Sequence, residues 1–187
     1  RLRWPDDYFT LSQNISYQQY DLNDYPIATF SFSTGTVNNL SYGISFGRNS
    51  SGPSPMFPKY RSEFSVGGKF TFPYSLVNEK DYTSLEDNEK YKWLEYYKLN
   101  FKGRWYTSLP AKFVLMSNIE AGFLGNYNSD LGTSPFERYF VGGDGMAAFQ
   151  MDGRETIALR GYENNRISSI EGGTIYNKFS IELRYPV

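Results

Sequence analysis

The sequence contains no cysteine and no histidine. The first absence excludes a disulfide framework and a thiolate metal site, and the second removes every imidazole base, proton relay and metal cage. No run of about 18 apolar residues occurs, so a transmembrane helix is excluded. Neither sign of charge prevails: 19 Lys and Arg stand against 20 Asp and Glu, which is not the basic footprint of a nucleic-acid binder. The chain opens on Arg1 without a Met or a signal peptide and ends on the strand-like Leu183-Arg184-Tyr185-Pro186-Val187, so both ends read as cuts. What the chain has in quantity is aromatic residues: 15 Phe, 17 Tyr and 3 Trp in 187 residues, at a mean hydropathy of only -0.55.

Alternation by two reconciles the rings with the polar average. Phe9, Leu11, Ile15 and Tyr17 interleave with Thr10, Ser12, Asn14, Ser16 and Gln18; Leu40, Tyr42, Ile44 and Phe46 with Ser41, Gly43 and Ser45; Phe64, Val66, Phe70 and Phe72 with Ser65, Gly67, Lys69 and Thr71. In three later segments the polar side is charged. Tyr97, Leu99, Phe101 and Trp105 face away from Lys98, Asn100, Lys102 and Arg104. Phe113, Leu115, Ile119, Ala121 and Phe123 oppose a mixed side with Asn118 and Glu120, and Phe179, Ile181, Leu183 and Tyr185 oppose Lys178, Ser180, Glu182 and Arg184. Each segment predicts a strand with one apolar and one polar face, at a length that suits a tilted strand in a bilayer. Ala28 to Ser33 also alternates and precedes the turn-like Thr34 to Asn39, which predicts a hairpin extension outside the main sheet.

Two environments produce this pattern. A soluble sandwich turns its apolar faces inward, whereas a membrane barrel turns them to lipid around a wet lumen. Aromatics at strand ends as well as centres (Tyr8, Phe9, Trp93, Tyr96, Tyr97, Trp105, Tyr106 and Tyr185) favour the second, as interfacial girdles. The parities make a test: Phe101 and Trp105 in a protein core with Lys98 and Lys102 in bulk solvent means a soluble fold. Six strands do not close around a wet lumen, since the smallest such barrels need about eight. The fold class expected is therefore an all-β, transmembrane antiparallel β-barrel, present in part.

The connection from 125 to 175 is long and glycine-rich, and structureless loops of such length are commonly functional. It carries Tyr139-Phe140-Val141-Gly142-Gly143 and then Leu159-Arg160-Gly161-Tyr162. In these residues the chain resembles the BamA superfamily of outer-membrane protein assembly barrels, whose sixth extracellular loop carries an aromatic-Gly-Gly segment followed by an apolar residue and Arg-Gly-aromatic. The longer spacer, Asp144 to Ala158, is similar to that of the Bacteroidetes branch. Trp4-Pro5-Asp6-Asp7-Tyr8-Phe9, Phe70-Thr71-Phe72-Pro73-Tyr74-Ser75 and Ile181-Glu182-Leu183-Arg184-Tyr185-Pro186 sit in the family's order. They map the chain to about the seventh to twelfth strands of a sixteen-stranded barrel. The turn Phe57 to Ser62 departs from the family, which usually places a Gly near Arg61.

The resemblance implies that residues 1–187 are a fragment of a single outer-membrane β-barrel domain with a lumen-inserting loop at 125–175, the POTRA repeats and seam strands lying elsewhere. It implies that Arg160 reaches into the lumen toward Glu182, with Gly161 allowing a close approach or a positive φ, Tyr162 packing on the lumen wall, and Phe140, Gly142 and Gly143 supporting the loop. Glu182 lies about 20 Å into its strand, and the tether from Gly161 to Ile175 extends to about 50 Å, so the pairing is within reach. The alternative for Glu182 is local balance by Lys178 or Arg184. The basic ladder Lys98, Lys102, Arg104 with Lys69 is open to two readings, an anion-selective pore or a solvated lumen that balances Glu63, Glu120 and Glu182.

Function follows as an expectation. The resemblance implies a non-enzymatic assembly factor in the bacterial outer membrane, folding and inserting β-barrel proteins by strand templating at an open seam and by local membrane thinning. Its implied partners are unfolded outer-membrane β-barrel clients, accessory subunits of an assembly complex and the lipid bilayer, with no cofactor, no metal and no nucleic acid. A two-partner secretion transporter of the same superfamily, a passive porin and a soluble β-rich binding module are the competitors.

Overall fold

The computed structural model describes residues 6–25, 30–50, 61–78, 80–143, 154–163 and 166–185. In chain order these form β1 (Phe9–Leu22), β2 (Gly35–Asn49), β3 (Arg61–Thr71), the short helices α1 (Tyr74–Val77) and α2 (Asp87–Lys90), β4 (Tyr97–Ser108), a 3-10 turn (Pro110–Lys112), β5 (Val114–Gly125), β6 (Tyr139–Val141), β7 (Glu155–Ile157) and β8 (Ile175–Arg184). The long strands make one sheet in the order β1-β2-β3-β4-β5-β8, every neighbour antiparallel. β6 and β7 form a separate parallel pair. The long connections β1–β2, β3–β4 and β5–β8 all leave from one end, while β4 and β5 are joined by the tight 3-10 turn at the other. Among the described residues the sheet is open, with β1 and β8 at its edges.

Register sorts the two faces. Ile15, Tyr42, Phe70 and Tyr97 stand opposite one another across four strands, and Phe123 continues this face to Ile175. Ile15, Phe179 and Ile181 are 78%, 70% and 76% exposed. An apolar face this broad is far beyond what a water-soluble surface carries, and it matches the lipid face of a barrel wall. The parity test comes out the same way: Trp105 is 38% exposed, whereas Lys98 on the opposite face is 2% exposed. The chain is all-β, an antiparallel sector of a transmembrane barrel with its polar face inward.

Two local expectations are corrected. Residues 34–39 are not a turn, because β2 begins at Gly35 and pairs back onto β1 as far as Leu22, with Tyr20 opposite Val37. Val37 is fully buried against the loops, and that burial outweighs the turn preference of Thr, Gly and Asn. Residues 30–33 of the expected hairpin extension form no strand, and residues 19–22 and 35–37 extend β1 and β2 within the main sheet. Phe30 and Phe32 instead fold inward as core residues, while Ala28 and Thr29 lie outside the described residues. Of the expected girdle, Tyr8, Trp93, Trp105 and Tyr185 are exposed, but Tyr96 is fully buried and Tyr106 lies beneath the Arg184 guanidinium, 5.5 Å away. Both have the even parity of Lys98, which aims them at the lumen.

The core sits where a barrel wall alone has none. Phe30, Phe32, Val37, Leu94, Tyr96, Leu124, Phe136, Tyr139, Ile157 and Tyr176 form one buried cluster on the inner face, at the long-loop end. It is built mainly from connections and from the last inward residues of the strands, so it caps the lumen side and leaves the lipid side bare.

Candidate functional site

On the inner face β3 and β4 place Lys69 directly opposite Lys98. Two like charges in register repel each other, and a lumen wall that buries one of them needs an anion. Glu137, from the β5–β8 loop, supplies it. Its Oε1 lies 2.5 Å from Lys69 Nζ and its Oε2 3.2 Å from Lys98 Nζ. Lys98 also donates to the Glu137 carbonyl at 2.9 Å, and the β7 carboxylate of Glu155 approaches it at 2.7 Å. The ammonium is thus surrounded by three oxygens and lies 4.6 Å from the centre of the Tyr139 ring.

A second layer holds Glu137 in place. Asn39 is fully buried and donates to Glu137 Oε1 at 3.2 Å and to Gln18 at 3.3 Å, while accepting from the Tyr96 hydroxyl at 3.1 Å. Glu137 has a left-handed backbone, φ 65°, a conformation costing about 1 kcal/mol or more in a residue with a Cβ. Its neighbours hold that turn: Phe136 N–H donates to Ser134 Oγ at 3.1 Å and Arg138 Nε to the Ser134 carbonyl at 3.0 Å. Burial pushes the Glu137 carboxyl upward, but Lys98 and Lys69 outweigh burial and leave it below its ordinary value.

Aromatic packing completes the dock. Phe136 stacks on Phe30 with centroids 4.4 Å apart and meets Tyr20 at 5.2 Å. Tyr139 packs edge-on to Tyr176 at 4.7 Å and donates to Asn100 Oδ1 at 2.9 Å. Both tyrosines occupy the space over Gly122 of β5: a Cβ there would lie 2.3 Å from Tyr176 and 2.6 Å from Tyr139. The missing side chain is the socket that admits the loop.

The structure joins the two halves of the sequence motif through backbone. Leu159 N–H donates to the Gly143 carbonyl at 2.9 Å, Gly143 N–H to the Tyr162 carbonyl at 3.0 Å, and Gly142 N–H to the Ile157 carbonyl at 3.0 Å. Gly143 and Gly161 have φ of 76° and 90°. At Gly161 no atom lies within 4 Å of the Cβ position, so the turn conformation, and not a close approach, is what calls for glycine. Phe140 is buried, with the Arg154 guanidinium 4.9 Å from its ring centre. Most of the spacer, residues 144–153, lies outside the described residues, as do Trp4, Pro5 and residues 57–60 of the turn that departs from the family.

The remaining motif residues are placed differently from expectation. Arg160 is exposed, Tyr162 is 54% exposed, and among the described residues Arg160 makes no ion pair with Glu182. Glu182 instead accepts from Arg184 at 2.8 Å, the local balance. Depth explains the difference. The loop docks level with Gly122 and Tyr176, and Glu182 lies six residues farther along β8, about 20 Å away at ~3.3 Å per residue. Arg184 is an i+2 neighbour on the same face and reaches Glu182 without ordering any loop.

Sequence reasoning missed Glu137, Glu155 and Asn39. The available signal was the uncompensated lysine pair. Lower on the wall the charges cancel in register, with Glu63 opposite Arg104 and Glu120 between Lys102 and Lys178. Lys178 meets Glu120 at 3.4 Å, and Glu63, Lys102, Arg104 and Glu120 border a cavity of about 310 Å³. The ladder is therefore two systems, one balanced by the wall and one by the loop.

Comparison with known proteins agrees with this architecture. The Omp85 superfamily domain matches residues 3–187, nearly the whole chain. No curated protein and no solved structure matches.

Proposed function

The chain belongs to the Omp85 superfamily, whose members are outer-membrane proteins of membrane-protein assembly or transport, and on that premise we propose that it is a wall sector of an outer-membrane protein assembly barrel. In this reading the six strands continue on both sides into a closed barrel, because unpaired strand edges are not tolerated in lipid. The sector corresponds to about the seventh to twelfth strands of a Bacteroidetes-type BamA barrel of sixteen, with POTRA repeats preceding it and the seam lying between strands outside it. The work is non-covalent and non-enzymatic. A seam edge templates the strands of an incoming β-barrel client, satisfying their backbone groups while the bilayer is locally thinned.

The observation that carries this reading is the loop that runs into the lumen and is clamped there by Glu137 on Lys69 and Lys98. A wall that must stay rigid while its distant seam opens gains from an internal brace, whereas a passive pore needs its lumen clear. The motif Leu159-Arg160-Gly161-Tyr162, tied by backbone to Gly142 and Gly143, shapes the turn at the tip of that brace. Arg160, which has no ion pair among the described residues, is then available to clients or accessory subunits.

Reconstitution tests the proposal. The full-length protein in liposomes is expected to accelerate the folding of a urea-unfolded β-barrel client, read as heat-resistant migration on a gel, and its depletion in cells to lower the level of many outer-membrane barrels together. Loss of a single secreted protein on depletion, with other barrels intact, would assign it to two-partner secretion. High single-channel conductance with no effect on other barrels would assign it to the porins.

A further inference from the structure

Outside the latch, the chemically richest surface is the β3–β4 connection. Phe72, Leu76 and Val77, at and just beyond the end of β3, are each more than half exposed, so the bare lipid face continues past the strand into α1. From there an aromatic row runs onward: Phe72 meets Tyr74 at 5.0 Å and Tyr74 meets Trp93 at 5.2 Å. The row leads into a cleft of about 340 Å³ whose lining includes Tyr74, Tyr82, Trp93, Lys80, Lys90 and Lys92. That volume is in the range of small-molecule sites.

The electrostatics of the cleft have a direction. None of the three lysines has an ion pair among the described residues. Two carboxylates also line it. Glu89 is exposed on α2, and Glu95 is buried with both oxygens occupied, accepting from Ser75 N–H at 2.6 Å and from Ser75 Oγ at 2.7 Å. Burial holds the Glu95 carboxyl above its ordinary value, and both of its oxygens are engaged by Ser75.

We infer that this cleft binds the anionic saccharide head group of an outer-leaflet glycolipid, with Lys80, Lys90 and Lys92 on its phosphates, Trp93 and Tyr74 against its sugar rings, and Phe72, Leu76 and Val77 in its acyl chains. The order of the parts on the protein, apolar, aromatic, then basic, is the order of the parts of such a lipid along the membrane normal. The position suits it as well, since long connections of outer-membrane barrels lie on the extracellular side. Asn78 adds an amide for sugar hydroxyls. Aromatic rings at the interface are ordinary anchors, but rings that lead into a recess with three ammonium groups that have no ion pair among the described residues specify a charged head. The site rests on the outer-membrane setting of the superfamily and is independent of the assembly role.

The test is a binding titration of the full-length protein in detergent micelles, read by native mass spectrometry. The probes are purified lipopolysaccharide, its dephosphorylated form, its deacylated phosphorylated head group, phosphatidylglycerol and inorganic phosphate. Lipopolysaccharide is expected to bind saturably, the dephosphorylated form at least tenfold more weakly, and the deacylated head group to compete. The Lys80→Gln, Lys90→Gln, Lys92→Gln triple variant and the Trp93→Ala variant are each expected to lose at least tenfold in affinity with the heat-modifiable barrel intact. Equal binding of the dephosphorylated form, competition by phosphatidylglycerol or inorganic phosphate as effective as that of the head group, or an unchanged affinity in the triple variant overturns the inference. The competition arms use the unmodified protein and do not depend on a variant folding. Failure to accelerate client folding would bear on the assembly role and leave these outcomes as they stand.

Discussion

Replacing Lys98 by Met removes the centre of the latch while keeping most of its apolar stem. The lost ammonium contacts the Glu137 carbonyl at 2.9 Å, Glu137 Oε2 at 3.2 Å and Glu155 Oε2 at 2.7 Å. Breaking a buried pair from one side costs about 3–5 kcal/mol, because the other charge stays behind uncompensated. Two features favour the lower end: Glu137 keeps Lys69, and the Glu155 side chain is 34% exposed and can turn to water. At about 3 kcal/mol and ~1.4 kcal/mol per decade, the undocked loop gains roughly 150-fold in population. Hydrogen exchange by mass spectrometry on the full-length protein reads this directly, because Tyr139, Gly142 and Gly143 all donate their N–H within the docked loop. Peptides over residues 133–143 are expected to exchange about a hundredfold faster, with β1 and β2 peptides unchanged. Adding Glu137→Leu to Lys98→Met removes the stranded carboxylate, so the double variant is expected to be less destabilised than the sum of the two single ones. Strict additivity would refute the latch. The pH dependence has a defined sign: Glu137 is depressed, so its contribution is complete above the undocked carboxylate value of about 4.3 and is lost as pH falls through its lower docked value. The Glu137 contribution to docking should be constant above about pH 4.3 and decline below it.

Three further outcomes follow from the same geometry. Gly122→Val fills the socket shared by Tyr139 and Tyr176 and is expected to cost about 1–3 kcal/mol by overpacking, seen as faster exchange in the loop and altered near-ultraviolet tyrosine dichroism; unchanged spectra would mean the rings do not pack there. Glu95→Gln keeps an acceptor for Ser75 N–H and removes a buried charge, so the β3–β4 connection should be as protected or more so at neutral pH. Because Glu95 is raised, its ionisation weakens the fold from about pH 4.3 upward; the exchange rate of that connection should rise with pH beyond the intrinsic rate in the parent, and the variant should abolish this excess. Arg160→Ala is expected to shift unfolding by less than about 0.5 kcal/mol, since the side chain is exposed; a loss of several kcal/mol on denaturant titration would show that Arg160 braces the barrel after all.

The faces of the sheet were legible because parity is local. Tyr97, Leu99, Phe101 and Trp105 declare their side without reference to any other strand. Register is not local. That Lys69 meets Lys98 depends on how a 25-residue connection returns the chain to the sheet, and alternation is silent on this. Residues 34–39 show the opposite failure, a local turn preference overridden by cross-strand pairing of Val37 with Tyr20. The loop motif was visible as a string, and the structure does join its halves, but by backbone bonds from Gly142 and Gly143 that no side-chain pattern advertises.

The polarity of the dock has a physical reason that the wall itself contains. Among the described residues the acids lower in the lumen already face bases: Glu63 meets Arg61 at 3.0 Å, Glu120 meets Lys178 at 3.4 Å, and Glu182 meets Arg184 at 2.8 Å. A basic loop residue sent to that depth would have to displace a neighbour already held at short range and order a long tether to do so. Nearest the long loops the wall presents two lysines and, among the described residues, no acid on its inner face, so an acidic loop residue docks there without displacing a wall pair. The depth to which the loop enters is thus set by where the strand register leaves charge unmatched, and the length of the loop sets only an upper bound.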